Sequence, residues 1–546
     1  MHRALLVDDI VHAVLQNVTS SATDMVNFAS TCSAVSFPTL NILWRMQSSL
    51  GPLIMCLPQD TWEIRGDNVV YLTREPFPTE WERVRLHASR IRKLVAKPRD
   101  TRPNRPPKVH SGVLQPLFVL FPPSSLFPNL SNLDFSAVSD LRELTPKLQF
   151  SILRQFLSPM LGFLAFIVPS TVSTHELEGF VNILPEASDL RQLVISAEND
   201  GEPRRQIHLP LSKMQKLNAL GVIHNVCLAN RCMADIEQLR FLHVLALDLE
   251  GGHNDGEDSR LGDVPLELSL LGFLTLDADR MQHCTSFLHR ISTPQLSNIS
   301  IKYSEHALSA EVNDFLLSLR ASCPVSASLE TLSVHCYGDI SYRDLDLHNS
   351  LTSDVFRPLL TFGRLTVVKF LATGKFHLDD GFMEAAAVAW PDVQELSFAS
   401  KHSDTSSVTF DAVLSFASRC SSLRSLHLTF DATQMPKLPR RKGCEDASDG
   451  NWELWPKQTA LQMLHVGNSK VRMAVLVPFV LAAVFPNLLD ISSYQLVGIS
   501  DGIRWERVAR AFRKLVGLRK KDPVIADSLP MFVQAMLADD LQPESS

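Results

Sequence analysis

Along most of the chain, large apolar residues follow one short spacing: an apolar residue, two of any kind, a second apolar residue, one of any kind, and a third. It occurs at Leu130/Leu133/Phe135, Leu161/Leu164/Phe166, Leu190/Leu193/Ile195, Leu217/Leu220/Val222, Leu242/Leu245/Leu247 and Leu271/Leu274/Leu276. It continues at Leu296/Ile299/Ile301, Leu329/Leu332/Val334, Leu365/Val368/Phe370, Val393/Leu396/Phe398, Leu423/Leu426/Leu428 and Leu461/Leu464/Val466. In a thirteenth occurrence, Leu488/Ile491, Ser493 takes the third place. One such window arises by chance about once in thirty. The regularity carries the weight: successive starts lie 25 to 38 residues apart, a period that belongs to repeat arrays.

The second and third apolar residues of each occurrence alternate, so they share one face of a short strand. Between occurrences the apolar period becomes helical, as in 354–360 and 382–389. Phe127-Pro-Asn-Leu130, Thr293-Pro-Gln-Leu296, Trp390-Pro-Asp-Val393 and Phe485-Pro-Asn-Leu488 repeat one entry into the strand. A lone strand–helix unit cannot bury its faces, but stacked units share a continuous core. The expected class is therefore α/β, an irregular solenoid over 126–500 with a curved parallel sheet and outer helices. Asp379-Asp380 reads as a helix start within it.

Residues 1–50 differ. Val7, Ile10, Val11, Val14, Leu15 and Val18 share one helical face, and Asp8 and Asp9 suit the positive end of that helix dipole. A second helix carries Met25, Phe28, Ala29 and Cys32. Pro38 is expected to open a third, presenting Leu40, Leu43 and Trp44. Residues 51–125 read as a helical connector, with a helical pattern from Glu80 to Lys97. From Arg83 to Lys108 there are ten Lys or Arg against the single acidic Asp100. That patch could meet phosphate or an acidic partner; a solvated helix face followed by a Pro-rich loop is the simpler reading. Residues 501–546 read as an amphipathic capping helix, Trp505 to Lys521, and an acidic tail.

The composition is globular, 45% hydrophobic and 20% charged, with net charge −7, so the chain as a whole shows no bias toward nucleic acid. Nine cysteines stand without a C-x-x-C pair, the usage of reduced thiols in the cytoplasm or nucleus. Asp8 and Asp9 interrupt any secretory apolar region. The longest apolar run, Met473 to Phe485, is too short for a bilayer and contains Pro478; no membrane association is expected.

The N-terminal residues carry a resemblance. Leu6-Val7-Asp8-Asp9-Ile10, Val14, Leu15 and Val18, then Asp24-Met25-Val26, Thr31-Cys32 and Leu43-Trp44, follow in the order and spacing of an F-box. Leu50-Gly-Pro-Leu53 and Leu57-Pro-Gln-Asp-Thr-Trp62 continue it. The whole chain resembles fungal-type F-box proteins with degenerate leucine-rich repeats. Val7 stands where the family usually has proline, and Val35 where it often has tryptophan. Three residues after the strand motif, where leucine-rich repeats carry asparagine, only Asn225 fits.

The resemblance implies a substrate receptor of a cullin–RING (SCF-type) ubiquitin ligase. Leu6, Ile10, Val14, Leu15, Leu43 and Trp44 match the family positions that bind a Skp-type adaptor, and through it a cullin. The alternative for these residues is packing within their own module, and for the chain a repeat scaffold without ligase association. A target protein would meet variable positions between the leucines, such as Arg191, His243, Glu330 and Arg424, together with Trp452 and Trp455 on a rim loop; folding back onto the repeats is the alternative for the two tryptophans.

No enzymatic activity is expected. The sequence lacks a phosphate loop, a dinucleotide fingerprint, an H-E-x-x-H pair and a G-x-S-x-G elbow. Neither cofactor nor metal is expected. The acidic loop around His253, Asp255, Glu257 and Asp258 reads as solvated, because ligands on such a loop are not preorganised.

Overall fold

The computed structural model describes residues 8–18, 21–66, 68–95, 106–136, 138–142, 144–198, 204–249, 266–323, 328–338, 350–400, 407–434, 436, 455–494 and 500–521. Leu6, Trp452, the acidic loop at 253–258 and most of the basic Pro-rich loop lie outside these residues. The chain divides into two compact units, Met1–Asp248 and Leu249–Ser546.

In the first unit, α1 (Asp8–Val18), α2 (Ala22–Ala29) and α3 (Ser33–Trp44) precede a parallel ladder. Its strands are Met46–Gln47, Lys93–Leu94, Asn132–Asp134, Phe163–Val168, Gln192–Ala197, Ala219–Leu228 and Val244–Leu249. The middle apolar residue of each repeat falls in register with the next: Leu94, Leu133, Leu164, Leu193, Leu220 and Leu245 form one fully buried column. Phe166, Ile195, Val222 and Leu247 form a second. Helices or short 3-10 turns return the chain between strands. The helix Thr174–Val181 is fixed by a reciprocal cap, Ser173 and Glu176 each bonding the other's backbone N–H.

Two strands lie upstream of the expected array. Met46–Gln47 and Lys93–Leu94 have only two residues each, too few to show alternation. The helical pattern read from Glu80 to Lys97 resolves into a helix, Trp81–Ala88, and then this strand. The connector also contains a small sheet of Trp62–Arg65, Val69–Leu72 and Lys108–Val109. Pro38 lies inside α3 rather than at its start. Burial of Val35 draws 33–37 into the helix ahead of the proline, an override of local preference by packing.

The second unit repeats the design with Phe273–Ala278, Asn298–Tyr303, Thr331–Cys336, Val367–Leu371, Glu395–Ala399, Ser425–His427, Met463–His465 and Asp490–Ser492, all parallel. Its column runs Leu274, Ile299, Leu332, Val368, Leu396, Leu426, Leu464, Ile491. Every motif found by spacing coincides with a strand. Helices such as Ser309–Ser322, Asp380–Ala389 and Phe410–Arg419 cover the buried face. Asp379 does cap a helix, its Oδ1 accepting from the Phe382 N–H at 2.8 Å. Asp380 binds the next repeat, accepting from the Thr409 N–H and hydroxyl, each at 2.7 Å. Phe356, Phe370, Phe376, Phe382 and Phe398 fill the layer between, with Phe370 and Phe398 stacked on adjacent strands at 5.7 Å. The helix Ser500–Lys521 closes the unit. Trp505 is buried, donates its indole N–H to the Ser469 carbonyl at 2.8 Å and meets Phe430 edge-on.

One buried carboxylate knots the start of the first ladder. Asp140 is fully buried. Its Oδ2 accepts from the Leu50 N–H at 2.6 Å and the Ser49 hydroxyl at 3.0 Å, and its Oδ1 from the Val109 N–H at 3.0 Å. Three segments distant in sequence are thus held by one side chain. A methyl group on Gly51, next to this knot, would overlap the Pro107 carbonyl, so only glycine fits there. Replacing Asp140 by Ala leaves buried donors unmet, which costs about 2–4 kcal/mol. Chemical denaturation of D140A should show an earlier loss of structure, and D140N should recover only part of it. A midpoint equal to the parent's would remove this role.

Candidate interaction surfaces

The N-terminal helices form a module with its own core. Val11, Leu15 and Val35 are buried together, with Phe28, Cys32 and Ile42 packed on them. Ser21 starts α2, its hydroxyl accepting from the Asp24 N–H. The adaptor candidates consequently split by helical face. Leu15 belongs to the core. Ile10 and Val14, one turn apart on α1, lie on the other side, Ile10 at 41% exposure and Val14 half-buried. Leu43 is half-buried. Trp44 is buried and stacks on His87 at 4.7 Å between ring centroids, tying α3 to the helix Trp81–Ala88. Two further exposed apolar residues are Val26, at 48%, in the Asp24-Met25-Val26 segment of the resemblance, and Phe37, at 63%. Val26 carries a visible signal, an apolar residue off the buried stripe of the amphipathic α2, whereas α3 is apolar on most sides and hides Phe37.

The target-binding candidates occupy the edge where strands begin. Arg191 and His243 are exposed in the first unit, and their backbones belong to one hydrogen-bonded row: the Arg191 N–H donates to Gly162 O, Asn218 to Arg191 O and His243 to Asn218 O. Glu330 and Arg424 take the equivalent place in the second unit, through Ser297, Glu330, Thr366, Gln394 and Arg424. Arg424 is exposed; Glu330 is half-buried and 3.6 Å from Arg364. Trp455 is folded back, 4% exposed, which takes it off the rim.

The sheet faces opposite the leucine columns differ between units. In the first, one row alternating with the column begins at Asp134 and continues with small or apolar residues, Ala165, Val194, Gly221 and Ala246, aligned across adjacent strands. In the second, the aligned row is Thr275, Ser300, Ser333, Lys369, Ser397, His427, His465 and Ser492. Lys369 pairs with Glu395. At one end of this row three rings gather. His427 and His465 lie 3.8 Å apart, and Tyr494 is 4.6 Å from His465 and 5.5 Å from His427. His465 Nδ1 accepts from the Gly467 N–H at 3.1 Å, which leaves the proton of the neutral ring on Nε2.

Neither protein-family models nor the sequences of characterised proteins match this chain. Its chemistry is therefore read from the side chains. Burial pushes the Cys420 thiol up to about 12 and those of Cys323 and Cys56 to about 11, so these sulfurs stay protonated. Among the described residues, no group of three or more His, Cys, Asp or Glu is placed to hold a metal ion, and no helix is long and apolar enough to cross a membrane. What the arrangement offers is contact surface: an apolar stripe on the helical module, a rim of charged residues, and a polar row ending in a ring cluster.

The ring cluster gives the second unit an acid sensitivity. Burial, aided by the neighbouring His465, lowers the His427 pKa to about 3. Burial also lowers that of His465. A depressed histidine binds its proton more readily in the unfolded chain, so stability is full above the unfolded value near 6.5 and falls as pH drops toward 3. In H427N this fall should become shallower, and calorimetric melting followed from pH 7 to pH 4.5 measures it. Parallel curves for parent and variant would show that His427 is not responsible.

Proposed function

We propose that this chain is a substrate-recognition subunit of a cullin–RING (SCF-type) ubiquitin ligase. In this reading α1–α3 are an F-box that docks a Skp-type adaptor, and the two parallel ladders are degenerate leucine-rich repeats that hold a target protein. The chain itself performs no catalysis; ubiquitin transfer takes place on other subunits, in the cytoplasm or nucleus.

The observation that carries the proposal is the outer face of the helical module. Its interior is already filled by Val11, Leu15 and Val35, yet Ile10 and Val26 remain in water. Apolar side chains that stabilise nothing within their own module are suited to a partner's groove. Leu15 and Trp44 then act indirectly, Leu15 by fixing α1 in place and Trp44 by anchoring α3. The rim and face residues supply a second surface whose composition varies from strand to strand, as selective protein recognition requires.

A second reading rests on the same two side chains. Leu15 and Trp44, large members of the adaptor-binding set, are spent on internal packing, and the remaining stripe is narrow. A repeat scaffold without ligase association uses the ladders in the same way and leaves the helical module as a cover for the first strands.

Capture of the purified adaptor by the full chain separates the two. With the ligase reading, I10D lowers recovery at least about tenfold, the size of a central apolar anchor, while the melting temperature stays near the parent's. Equal recovery by parent and I10D, or no recovery by the parent at micromolar concentrations, leaves the scaffold.

A further inference from the structure

A cleft of about 500 Å³ opens in the first unit between α3 and the helix Trp81–Ala88. Arg45, Arg90 and Arg92 line it, with Asn41, Phe37 and Leu86. The ladder itself brings two of the arginines together. The N–H groups of Arg92 and Lys93 both donate to the Arg45 carbonyl, at 3.0 and 2.9 Å, so Arg45 and Arg92 sit side by side just ahead of two adjacent strands. Arg90 reaches back to α3, where it donates to the Asn41 side-chain oxygen and the Phe37 carbonyl and lies over the Phe37 ring at 4.6 Å.

No described carboxylate pairs with any of the three. The Arg90 Nε is buried without a hydrogen-bond partner. Burial lowers the Arg90 pKa, with no anion among the described residues to offset it. His87, beside the cleft, is likewise lowered by burial and by the charges of Arg90 and Arg83. An unmet guanidinium N–H under cover costs stability. That cost disappears when an anion with several acceptor oxygens enters.

We infer that this cleft binds the phosphoryl group of a phosphorylated peptide. A phosphate monoester carries close to two negative charges and three acceptor oxygens, enough to engage several guanidinium forks at once; a single carboxylate has fewer. The cleft is larger than one phosphate, and its remaining wall combines apolar Phe37, Ile42 and Leu86 with Asn41, Ser89 and Asn129. Phe37 and Leu86 are both exposed there, at 63% and 55%. They suit the side chains that flank a phosphorylated residue. A nucleic acid would want successive aromatic platforms; Phe37 is the one aromatic ring in the wall and already carries Arg90 on a face. The inference is independent of the ligase reading, since it uses neither Ile10 nor Val26.

Fluorescence anisotropy of the full chain tests it, with a labelled pool of short peptides that carry a central phosphoserine between apolar residues. Saturable binding is expected, weakening with added salt. R90Q and the double variant R45Q/R92Q should each bind at least about tenfold less tightly. R240Q, an exposed arginine away from the cleft, should bind as the parent does. Arg45 and Arg92 are exposed, so R45Q/R92Q keeps the test valid if R90Q does not fold. Equal binding by parent and double variant overturns the site. Equal binding of a pool with glutamate in place of phosphoserine overturns the phosphoryl specificity. Inorganic phosphate or a single-stranded oligonucleotide that competes as tightly as the peptide pool overturns the peptide occupant. Adaptor capture by R45Q/R92Q, and peptide binding by I10D, show which of the two proposals has failed.

Discussion

The strands of both ladders are too short to be stable alone, and the structure is organised around that constraint. Most have two to six residues. Such a strand exposes its hydrogen-bonding groups on both edges and buries too little apolar surface to offset its ordering entropy. Register solves both problems at once. When Leu193 pairs beside Leu164 and Leu220, three repeats share one apolar column, and the backbone between them is paired on both sides. Removing one leucine from such a column costs about 2–5 kcal/mol and affects two interfaces rather than one. Each unit therefore stands or falls by the continuity of its column.

The same constraint separates what the chain must keep from what it can vary. Positions in the column are committed to packing, and their strand neighbours point to the opposite face. In the first unit those neighbours are mostly small, and even a methyl group added at Gly221 would meet the Val194 side chain at ordinary contact distance. In the second they are hydroxyls, a lysine and histidines. Hydroxyl side chains in a row keep that face hydrated at little cost to the sheet. The two histidines are different: their burial against one another and against Tyr494 makes them uncharged over the neutral range. They act there as flat, weakly polar surfaces rather than as cations. Neither unit's face is dominated by charge of one sign, which suits protein surfaces better than a polyanion.

Much of the fold was legible because the repeat is long and its apolar signal is redundant. Leu296/Ile299/Ile301 alone means little, but its distance from its neighbours does. What escaped was short or relational. Ile91 and Leu94 have the spacing of the first two motif positions and are both fully buried, yet a two-residue strand after a helix hides within helical periodicity. Pro38 looked like a helix start because the burial of Val35, which pulls the preceding turn into the helix, depends on contacts with α1. The F-box-like positions show the same limit. Periodicity placed Ile10 and Leu15 together on one broad apolar stripe; packing sends Leu15 to the core and leaves Ile10 in water. Asn225, the one residue at the expected asparagine position, adopts a left-handed conformation with φ of 63° and gives its N–H to the buried Asp248. Its role is a local turn that realigns the strand with Arg205–Ile207.

The basic stretch from Arg83 to Lys108 shows most clearly why a site can be invisible in sequence. Read as a segment it is a solvated face, and for Arg85, which lies over Phe121, that description is adequate. Arg45 and Arg92 are 47 positions apart in the chain, and only the pairing of Met46 with Lys93 makes them neighbours. The row they begin continues through Ser131 and Gly162, so the backbone step itself makes no demand for charge at these places. Neutral side chains there would leave every ladder bond intact, while the covered Arg90 Nε–H beside them has no acceptor among the described residues. Residues that a fold does not need are accounted for by what they bind. In the proposed reading, the head of the first ladder is an anion site rather than a feature of the repeat.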